Sequence, residues 1–232
     1  MNLFFTSPDN IGTQELVIEG QESHHLSKVL RYRVGDSILV TDGCGMLYSC
    51  NILSAERERT VASILSREKK EEKPPHLTLC IGVIRKKDRL EFAVEKVTEI
   101  GAKQIILFYG EYSEKMRVRT ERLESVILSA VKQSLSSTIP SLKITKSLEE
   151  AILQKSHSDL LVVADERSGI TKKAEELPCT ESAMLVVGPE GGFSQNEREF
   201  LQMHHASFIT LGERRLRTET AATLLCNRFK NR

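Results

Sequence analysis

The stretch that decides the fold is Ala183-Met184-Leu185-Val186-Val187-Gly188-Pro189-Glu190-Gly191-Gly192-Phe193, an apolar strand that runs into a glycine-rich loop. Ser194 and Glu197 follow with the spacing of a capping box, which predicts that a helix begins directly after the loop. A second apolar strand, residues 208–211, leads into Gly212 and residues 213–222. In open α/β sheets, ligands bind at loops that follow the carboxyl ends of neighbouring strands, because backbone amides are left unpaired there. The two loops therefore predict a ligand-binding site.

The glycines of the first loop do not match the common nucleotide-binding patterns. Gly188, Gly191 and Gly192 lack the spacing G-x-G-x-x-G, and the chain contains no G-x-x-x-x-G-K-S/T. Such glycines either let the backbone approach a ligand closely or form a tight turn between strand and helix. Loop chemistry alone leaves both interpretations open.

Length and charge limit the class of protein. The 232 residues suffice for one large domain or two small ones, each with its own core. Lysine and arginine total 33 against 32 aspartate and glutamate residues, so the formal net charge is only +1. Any affinity for nucleic acid must therefore come from local basic patches. No segment approaches the roughly 18 apolar residues of a membrane span and the first residues do not resemble a signal peptide, so we expect a cytoplasmic protein.

Cysteine and histidine patterns predict neither a disulfide framework nor a metal site. Four of the six histidines form the adjacent pairs His24-His25 and His204-His205, whose side chains on a helix point about 100° apart and cannot share a metal in the i, i+4 manner. The cysteines are odd in number and scattered, without a C-x-x-C pair: Cys44, Cys50, Cys80, Cys179 and Cys226. We expect reduced, packed cysteines and no metal.

A domain boundary is predicted between residues 70 and 76, where a charged run ends in Pro74 and Pro75. Before it, short strand patterns separated by turn residues are typical of a small β-barrel, with one helix over residues 22–31. The strands predicted in this part are residues 3–6, 15–19, 36–41, 46–53 and 61–65.

After the boundary the pattern changes to alternating strands and helices, which predicts a mostly parallel sheet with helices on both faces. Asp88 and Glu91 have capping-box spacing and predict a helix that ends at Gly101, and Ser147 and Glu150 predict another. Further strands are predicted over residues 77–84, 105–108 and 160–164, and a further helix over residues 121–135. Periodicity leaves open how the strands connect.

The loop motifs resemble those of a known family. Residues 186–194 with Glu197, and Leu211-Gly212-x-Arg214-x-Leu216-Arg217-Thr218-Glu219-Thr220-Ala221, are similar to the paired signatures of the RsmE family, the 16S ribosomal RNA uridine N3-methyltransferases of the SPOUT superfamily. The resemblance continues along nearly the whole chain, through His24-His25-Leu26, Val29-Leu30-Arg31, Val34-Gly35-Asp36, Asp42-Gly43, Asp88-Arg89-Leu90-Glu91, residues 95–101 and residues 133–140. One segment departs from it: where the family reads E-Q-x-x-R, Lys132-Gln133-Ser134-Leu135-Ser136 lacks the acid and the arginine.

The resemblance implies an α/β fold in which a SPOUT-type trefoil-knotted methyltransferase domain, residues 76–232, follows an N-terminal PUA-like RNA-binding β-barrel, residues 1–70. It also implies S-adenosylmethionine bound in the knot, a homodimer whose second subunit helps to complete the active site, and a target uridine in the 16S rRNA of the 30S subunit. Cofactor contacts are expected at Gly188, Pro189, Glu190, Gly191, Gly192, Leu211, Gly212, Leu216, Thr218 and Ala221. Asp165 and Glu166, in a third loop, either touch the ribose or are simply polar.

The chemistry of the reaction suggests catalytic residues. N3 of uridine carries a proton on the Watson–Crick edge, so the base must be unpaired before it reacts, and proton loss leaves negative charge that an arginine can stabilise. Arg217 is the candidate because it immediately precedes a predicted helix, and a surface ion pair is the alternative. Glu219 is the first candidate for proton acceptor and Glu190 the second. Thr218 either contacts the ligand or caps the helix.

Basic residues suited to RNA phosphates fall in two clusters: Lys28, Arg31 and Arg33, and Arg85, Lys86, Lys87 and Arg89. Phosphate contacts supply affinity rather than sequence recognition, and a solvated charged surface is the alternative for each cluster. Two other functions stay open. One is a catalytically silent RNA-binding or ribosome-assembly protein of the same fold, suggested by the altered segment 132–136, and the other is a SPOUT methyltransferase that acts on tRNA.

Overall fold

The computed structural model describes residues 2–114, 116–157, 159–165 and 172–231. The chain forms two compact units, Met1–Glu72 with Val131–Ile139 and Lys73–Ala130 with Pro140–Arg232. Each unit has its own buried apolar core. Of the helices within the described ranges, none is both long enough and apolar enough to traverse a membrane.

The first unit is built on a five-stranded mixed sheet. Its strands are β1 (Leu3–Phe5), β2 (Glu15–Glu19), β3 (Ser37–Thr41), β4 (Met46–Ala55) and β5 (Arg59–Lys69), in the order β1-β3-β4-β5-β2. β1 and β3 are parallel and the other pairs are antiparallel. Alternate side chains such as Leu16 and Ile18 of β2 point into a core that also contains Phe4 and Leu26. All five strands lie where the sequence predicts them, although β5 extends into the charged run.

The helix predicted over residues 22–31 is irregular. α1 (Gly20–His24) continues directly into one π-helical turn, His25–Val29, which closes with a hydrogen bond from the Leu30 N–H to the His25 carbonyl (2.9 Å). Arg31 then has a positive φ of 59°, which turns the chain out of the helical direction.

Residues 131–139 pack within the first unit, far along the chain from its strands. The Ser137 carbonyl accepts hydrogen bonds from Thr41 Oγ1 (2.9 Å) and from the Gly45 N–H (3.0 Å), and the Ile139 N–H donates to the Gly43 carbonyl (2.9 Å). The segment includes residues 132–136, which depart from the family pattern. There Lys132 forms an ion pair with Glu22. These contacts attach residues 131–139 to β3, to the loop that follows it and to α1.

The second unit contains a six-stranded sheet in which every pair is parallel, as predicted. Its strands carry near-continuous apolar runs, which is typical of parallel sheets buried on both faces. They are β6 (His76–Gly82), β7 (Gln104–Phe108), β8 (Ser141–Thr145), β9 (Leu160–Ala164), β10 (Ser182–Val187) and β11 (Ser207–Ile209), in the order β11-β9-β10-β6-β7-β8. The edge strand β8 has no counterpart among the predicted strands.

Helices cover both faces of this sheet. They are α2 (Lys87–Ile100), α3 (Thr120–Gln133), α4 (Leu148–Ile152), α5 (Gln195–Met203) and α6 (Thr218–Lys230). On one face, Met184 and Val186 of β10 form a core with Ile152 of α4 and Leu201 of α5. The alternate residue Leu185 points to the other face, where α6 packs against β6, β10 and α2.

The helix boundaries confirm some of the predicted caps and correct others. Ser194 and Glu197 form a complete capping box, Ser147 accepts a hydrogen bond from the Glu150 N–H (3.2 Å), and α2 ends at Gly101 with φ 96°. The capping box predicted for Asp88 and Glu91 is wrong. The N-cap of α2 is Lys86, without a side-chain cap, so Asp88 already lies inside the first turn, and the Glu91 carboxylate accepts hydrogen bonds from the Arg122 guanidinium (2.6 and 3.1 Å).

Candidate active site

A cavity of about 340 Å³ lies where β9, β10 and β11 end. The loop after each of these strands contributes to its wall, and the start of α6 and one residue of α2 complete it. The lining residues are Arg89, Ala164, Asp165, Val187, Gly188, Pro189, Glu190, Gly192, Phe193, Ile209, Thr210, Leu211, Gly212, Arg214, Arg215, Leu216, Arg217, Thr218 and Ala221. The structure therefore brings together every residue predicted to contact the cofactor except Gly191.

Gly191 faces away from the cavity toward Tyr112. A Cβ atom added at Gly191 would lie 2.7 Å from the Cβ of Tyr112, so this glycine allows two loops to touch. Its place in the motif is thus explained by packing between residues 188–193 and residues 110–113.

The shape of the first loop depends on close backbone contacts. A Cβ atom added at Gly82, the last residue of β6, would lie 2.3 Å from the nitrogen of Pro189, so Gly82 lets β6 pass directly beneath the loop. The buried Glu197 carboxylate accepts hydrogen bonds from the Ser194 N–H (2.7 Å) and from the Glu111 N–H (3.0 Å). The end of the loop is therefore fixed from two directions. No sequence motif indicated a role for Gly82 or for the contact between Glu111 and Glu197.

The second loop ends at the first turn of α6. Gly212 has φ 141°, a conformation that favours glycine, and apart from Gly212 and its two chain neighbours no described atom lies within 4 Å of where its Cβ would be. Arg217 occupies the N-cap position of α6 and is exposed, while Thr218 is the first helical residue and is buried. The prediction that Arg217 directly precedes the helix is confirmed. The alternative in which Thr218 caps the helix is wrong, because the cap falls one residue earlier.

Glu219 lies behind the cavity wall rather than on it. Its side chain is 9% exposed, and its Oε1 is 3.6 Å from Nε of Arg89, which lines the cavity. Its Oε2 is buried without a hydrogen-bond partner among the described residues. A carboxylate in this position holds the Arg89 guanidinium at the cavity edge through the attraction of opposite charges.

Asp165, at the end of β9, is fixed by an arginine that the sequence patterns did not indicate. Arg198 of α5 donates from Nε to Asp165 Oδ2 (2.6 Å), and the two side chains are only 15% and 6% exposed. Asp165 lines the cavity, so its carboxylate is presented to the site in a defined position. Glu166 lies outside the described residues.

The residues predicted to bind RNA fall into both units. Lys28, Arg31 and Arg33 are exposed in the first unit, and Arg85 and Lys86 are exposed in the second. Arg85 forms an ion pair with Glu114 (2.9 Å). Arg89 is the exception, because it lines the cavity. Within the described ranges, no group of His, Cys, Asp and Glu side chains could hold a metal ion.

These features define the class of protein: the second unit is a ligand-binding α/β unit with its site at the carboxyl ends of parallel strands, and it is joined to the first unit, which is built on a mixed sheet. A family model described as an RNA methyltransferase domain matches residues 71–230, and one described as an RNA methyltransferase PUA domain matches residues 18–65. The chain therefore belongs to the RNA methyltransferase family.

Individual relatives agree with this assignment. The chain is 29% identical over 219 residues to ribosomal RNA small subunit methyltransferase E of Bacillus subtilis, covering 88% of this chain and 85% of that protein. The crystal structure of a probable rRNA-methyltransferase from Porphyromonas gingivalis is similar with a TM-score of 0.87 and 29% identity, over 97% of this chain and 95% of that chain. The crystal structure of a ribosomal RNA small subunit methyltransferase E from Neisseria gonorrhoeae, bound to S-adenosyl methionine, is similar with a TM-score of 0.86 and 26% identity, over 97% of this chain and 95% of that chain. The resemblance to the RsmE family is confirmed.

Proposed function

We propose that this protein transfers a methyl group from S-adenosylmethionine to N3 of a uridine in 16S ribosomal RNA. The observation that carries the proposal is the cavity built by the two glycine loops at the ends of β10 and β11, in a chain of the RNA methyltransferase family. The relative from Neisseria gonorrhoeae, described as bound to S-adenosyl methionine, supports the choice of cofactor. A ribosomal substrate would place the protein in the cytoplasm.

The residues of the cavity fit this cofactor. A volume of about 340 Å³ is within the range of small-molecule sites. Ile209, Leu211 and Leu216 supply apolar walls, and the glycine backbones at Gly188 and Gly212 allow close approach of a ligand. When bound, S-adenosylmethionine supplies an electrophilic methyl group. These five residues and the neighbouring peptide groups would hold it.

Two arginines can stabilise the reacting base. Loss of the N3 proton leaves negative charge shared with O2 and O4 of the uracil ring. Arg217 and Arg89 both line the cavity, and a positioned guanidinium stabilises such charge most strongly where water is excluded. Glu219 keeps Arg89 in place, so we propose a positioning role for Glu219.

The proton acceptor we propose is Glu190. The sequence favoured Glu219, but Glu219 lies behind Arg89, whereas Glu190 lines the cavity and is exposed to it. The Arg85 N–H donates to Glu190 Oε2 (3.2 Å), which orients the carboxylate. Glu190→Gln keeps the shape of the side chain but cannot accept the proton, so the single-turnover rate should fall about 100-fold. An unchanged rate would remove Glu190 from this role.

We propose that the second unit is a trefoil knot and that the first is a PUA-like RNA-binding barrel. β11 lies at the edge of the sheet, yet α6, which follows it, packs on β6, β10 and α2. Residues 210–217 must therefore carry the chain from the sheet edge back toward its middle, which supports a threaded path. An experimental structure of the second unit would decide whether the chain passes through a loop.

We propose a homodimer that acts on the 30S subunit, on the strength of the family resemblance. Sedimentation should give about twice the chain mass of 26.1 kDa. A monomer at micromolar concentration that retained full activity would refute the dimer.

The decisive experiment maps modified nucleotides. 30S subunits from a strain that lacks this protein should gain one N3-methyluridine in 16S rRNA when incubated with the purified protein and S-adenosylmethionine. Methylation of tRNA alone would favour a tRNA methyltransferase. Binding to the subunits without methylation of any RNA would favour a catalytically silent assembly protein.

A further inference from the structure

A second cavity, of about 810 Å³, lies in the same unit as the active site. Its lining includes four basic residues, Arg85, Lys87, Arg117 and Arg119, all of them exposed. Glu121 is the acidic residue among those that line it. We refer to this cavity as the basic groove. A groove with this balance of charge attracts anions.

Residues 116–119 alternate between half-buried and exposed side chains. Met116 and Val118 are half-buried and Arg117 and Arg119 are exposed, and all four also line a smaller cavity beside Leu90 of α2. Tyr109 Oη also donates to the Met116 carbonyl (2.6 Å). Both arginine side chains are therefore exposed beside apolar neighbours that are half-buried.

Two helices begin in the basic groove. α2 starts at Lys87 and α3 at Thr120, and both residues line the groove. The amino end of a helix carries partial positive charge, so the helices add to the field of the arginines. Glu114 pairs with Arg85, but both side chains are more than half exposed, so the pair is weak and a phosphate can compete for the arginine.

Residues 85–89 separate the groove from the active-site cavity. Arg85 and Lys87 line the groove, whereas Arg89, two residues further along α2, lines the active-site cavity. The Arg85 N–H bonds to Glu190, which lines the active-site cavity too. An RNA strand whose base enters the active site would therefore have flanking phosphates within reach of the groove.

We propose that the basic groove binds the phosphate backbone of the RNA strand next to the target nucleotide, with Arg117 and Arg119 as phosphate contacts. The proposal rests on the proposed function, since it assumes that a base is turned out of its stack into the active-site cavity. Contacts of this kind supply affinity without reading sequence.

The test measures binding of the full-length protein to 30S subunits at several salt concentrations. For the double variant Arg117→Ala with Arg119→Ala, the slope of log affinity against log salt should fall by about 1.4, because each phosphate contact on a single strand contributes about 0.7. The same relation predicts about a tenfold loss of affinity near 0.15 M salt. Substituting both arginines by lysine keeps the charge and should restore most of the slope.

A matched control removes two exposed positive charges elsewhere in the second unit. Lys103 precedes β7, at the amino end of the sheet, and Lys143 lies in the edge strand β8. Lys103→Ala with Lys143→Ala should leave the slope unchanged. Equal slopes for the double arginine variant and the wild type would overturn the groove proposal, as would an equal loss in the control. If the groove variant loses RNA affinity but the wild type methylates no RNA, the groove stands and the proposed function fails.

Discussion

Substituting Gly82 by alanine tests whether the first loop must lie directly against β6. The added Cβ would be 2.3 Å from the Pro189 nitrogen, 2.5 Å from Pro189 Cδ and 2.9 Å from the Gly188 carbonyl carbon. Ordinary contact begins at 3.4 Å, so the loop must move by 3.4 − 2.3 = 1.1 Å. Both neighbours are backbone or proline ring atoms, which cannot rotate away. Because a displacement of about 1 Å at an active site can cost about 100-fold in rate, we expect a loss of that size in methylation.

The assay is single-turnover methylation of 30S subunits, measured beside cofactor affinity by calorimetry and the melting temperature. Overpacking should cost about 1 to 3 kcal/mol of stability, so the variant should remain folded at room temperature. Gly12→Ala is the control, since its added Cβ would meet only the Glu15 carbonyl, at 3.1 Å, in the first unit. A Gly82→Ala protein with normal cofactor affinity and rate would refute the reasoning that the loop position is fixed by β6.

Three further outcomes are expected. Arg217→Ala should lower the single-turnover rate about 100-fold or more with little change in melting temperature, whereas a normal rate would remove Arg217 from the mechanism. Arg198→Ala should destabilise the protein by about 3 kcal/mol in chemical denaturation, because the buried Asp165 carboxylate loses its ion pair with the Arg198 guanidinium. Arg122→Ala, which breaks the more exposed pair with Glu91, should cost much less, and equal losses would contradict this account. Thiol titration of the native protein should detect two fast cysteines, the exposed Cys44 and Cys179. Burial raises the pKa of both Cys50 and Cys226 to about 12, so modification of either at neutral pH would show that the native structure opens.

The strands of the second unit could be predicted where their burial leaves a continuous apolar run. β9 and β10 are covered on both faces, so every position is apolar or small. β8 alternates polar and apolar residues but contains only two apolar ones, Leu142 and Ile144. It was missed because so short a run is a weak signal, and at the sheet edge Lys143 and Ile144 are both exposed. The capping box of Ser194 and Glu197 is a local interaction and was visible in sequence. Asp88 and Glu91 have the same spacing, but the Glu91 carboxylate accepts a hydrogen bond from Arg122 of α3, a contact between helices that the local sequence does not show.

The sequence predicted the two loops of the candidate site, but it did not predict the residues that hold those loops and the cavity wall in place. The glycine motifs identify the two loops, since a ligand that approaches the backbone requires the small residues there. Gly82, Arg198 and the pairing of Arg89 with Glu219 act through contacts between distant parts of the chain, and no local pattern encodes them. Arg89 illustrates the limit: in sequence it belongs to a basic cluster, but its position on α2 turns it toward the cavity.

The placement of residues 131–139 in the first unit has a consequence for synthesis of the protein. The nascent chain emerges from the ribosome with its amino end first, and all strands of this unit have been synthesised once residue 69 is added. The Ser137 carbonyl that receives the Thr41 hydroxyl and the Gly45 N–H is translated later. The interval between residues 72 and 139 is 67 residues, or roughly 3 to 13 s at about 5 to 20 residues per second. During that time all five strands of the first unit have been synthesised, but residues 131–139, which pack against them in the native structure, have not.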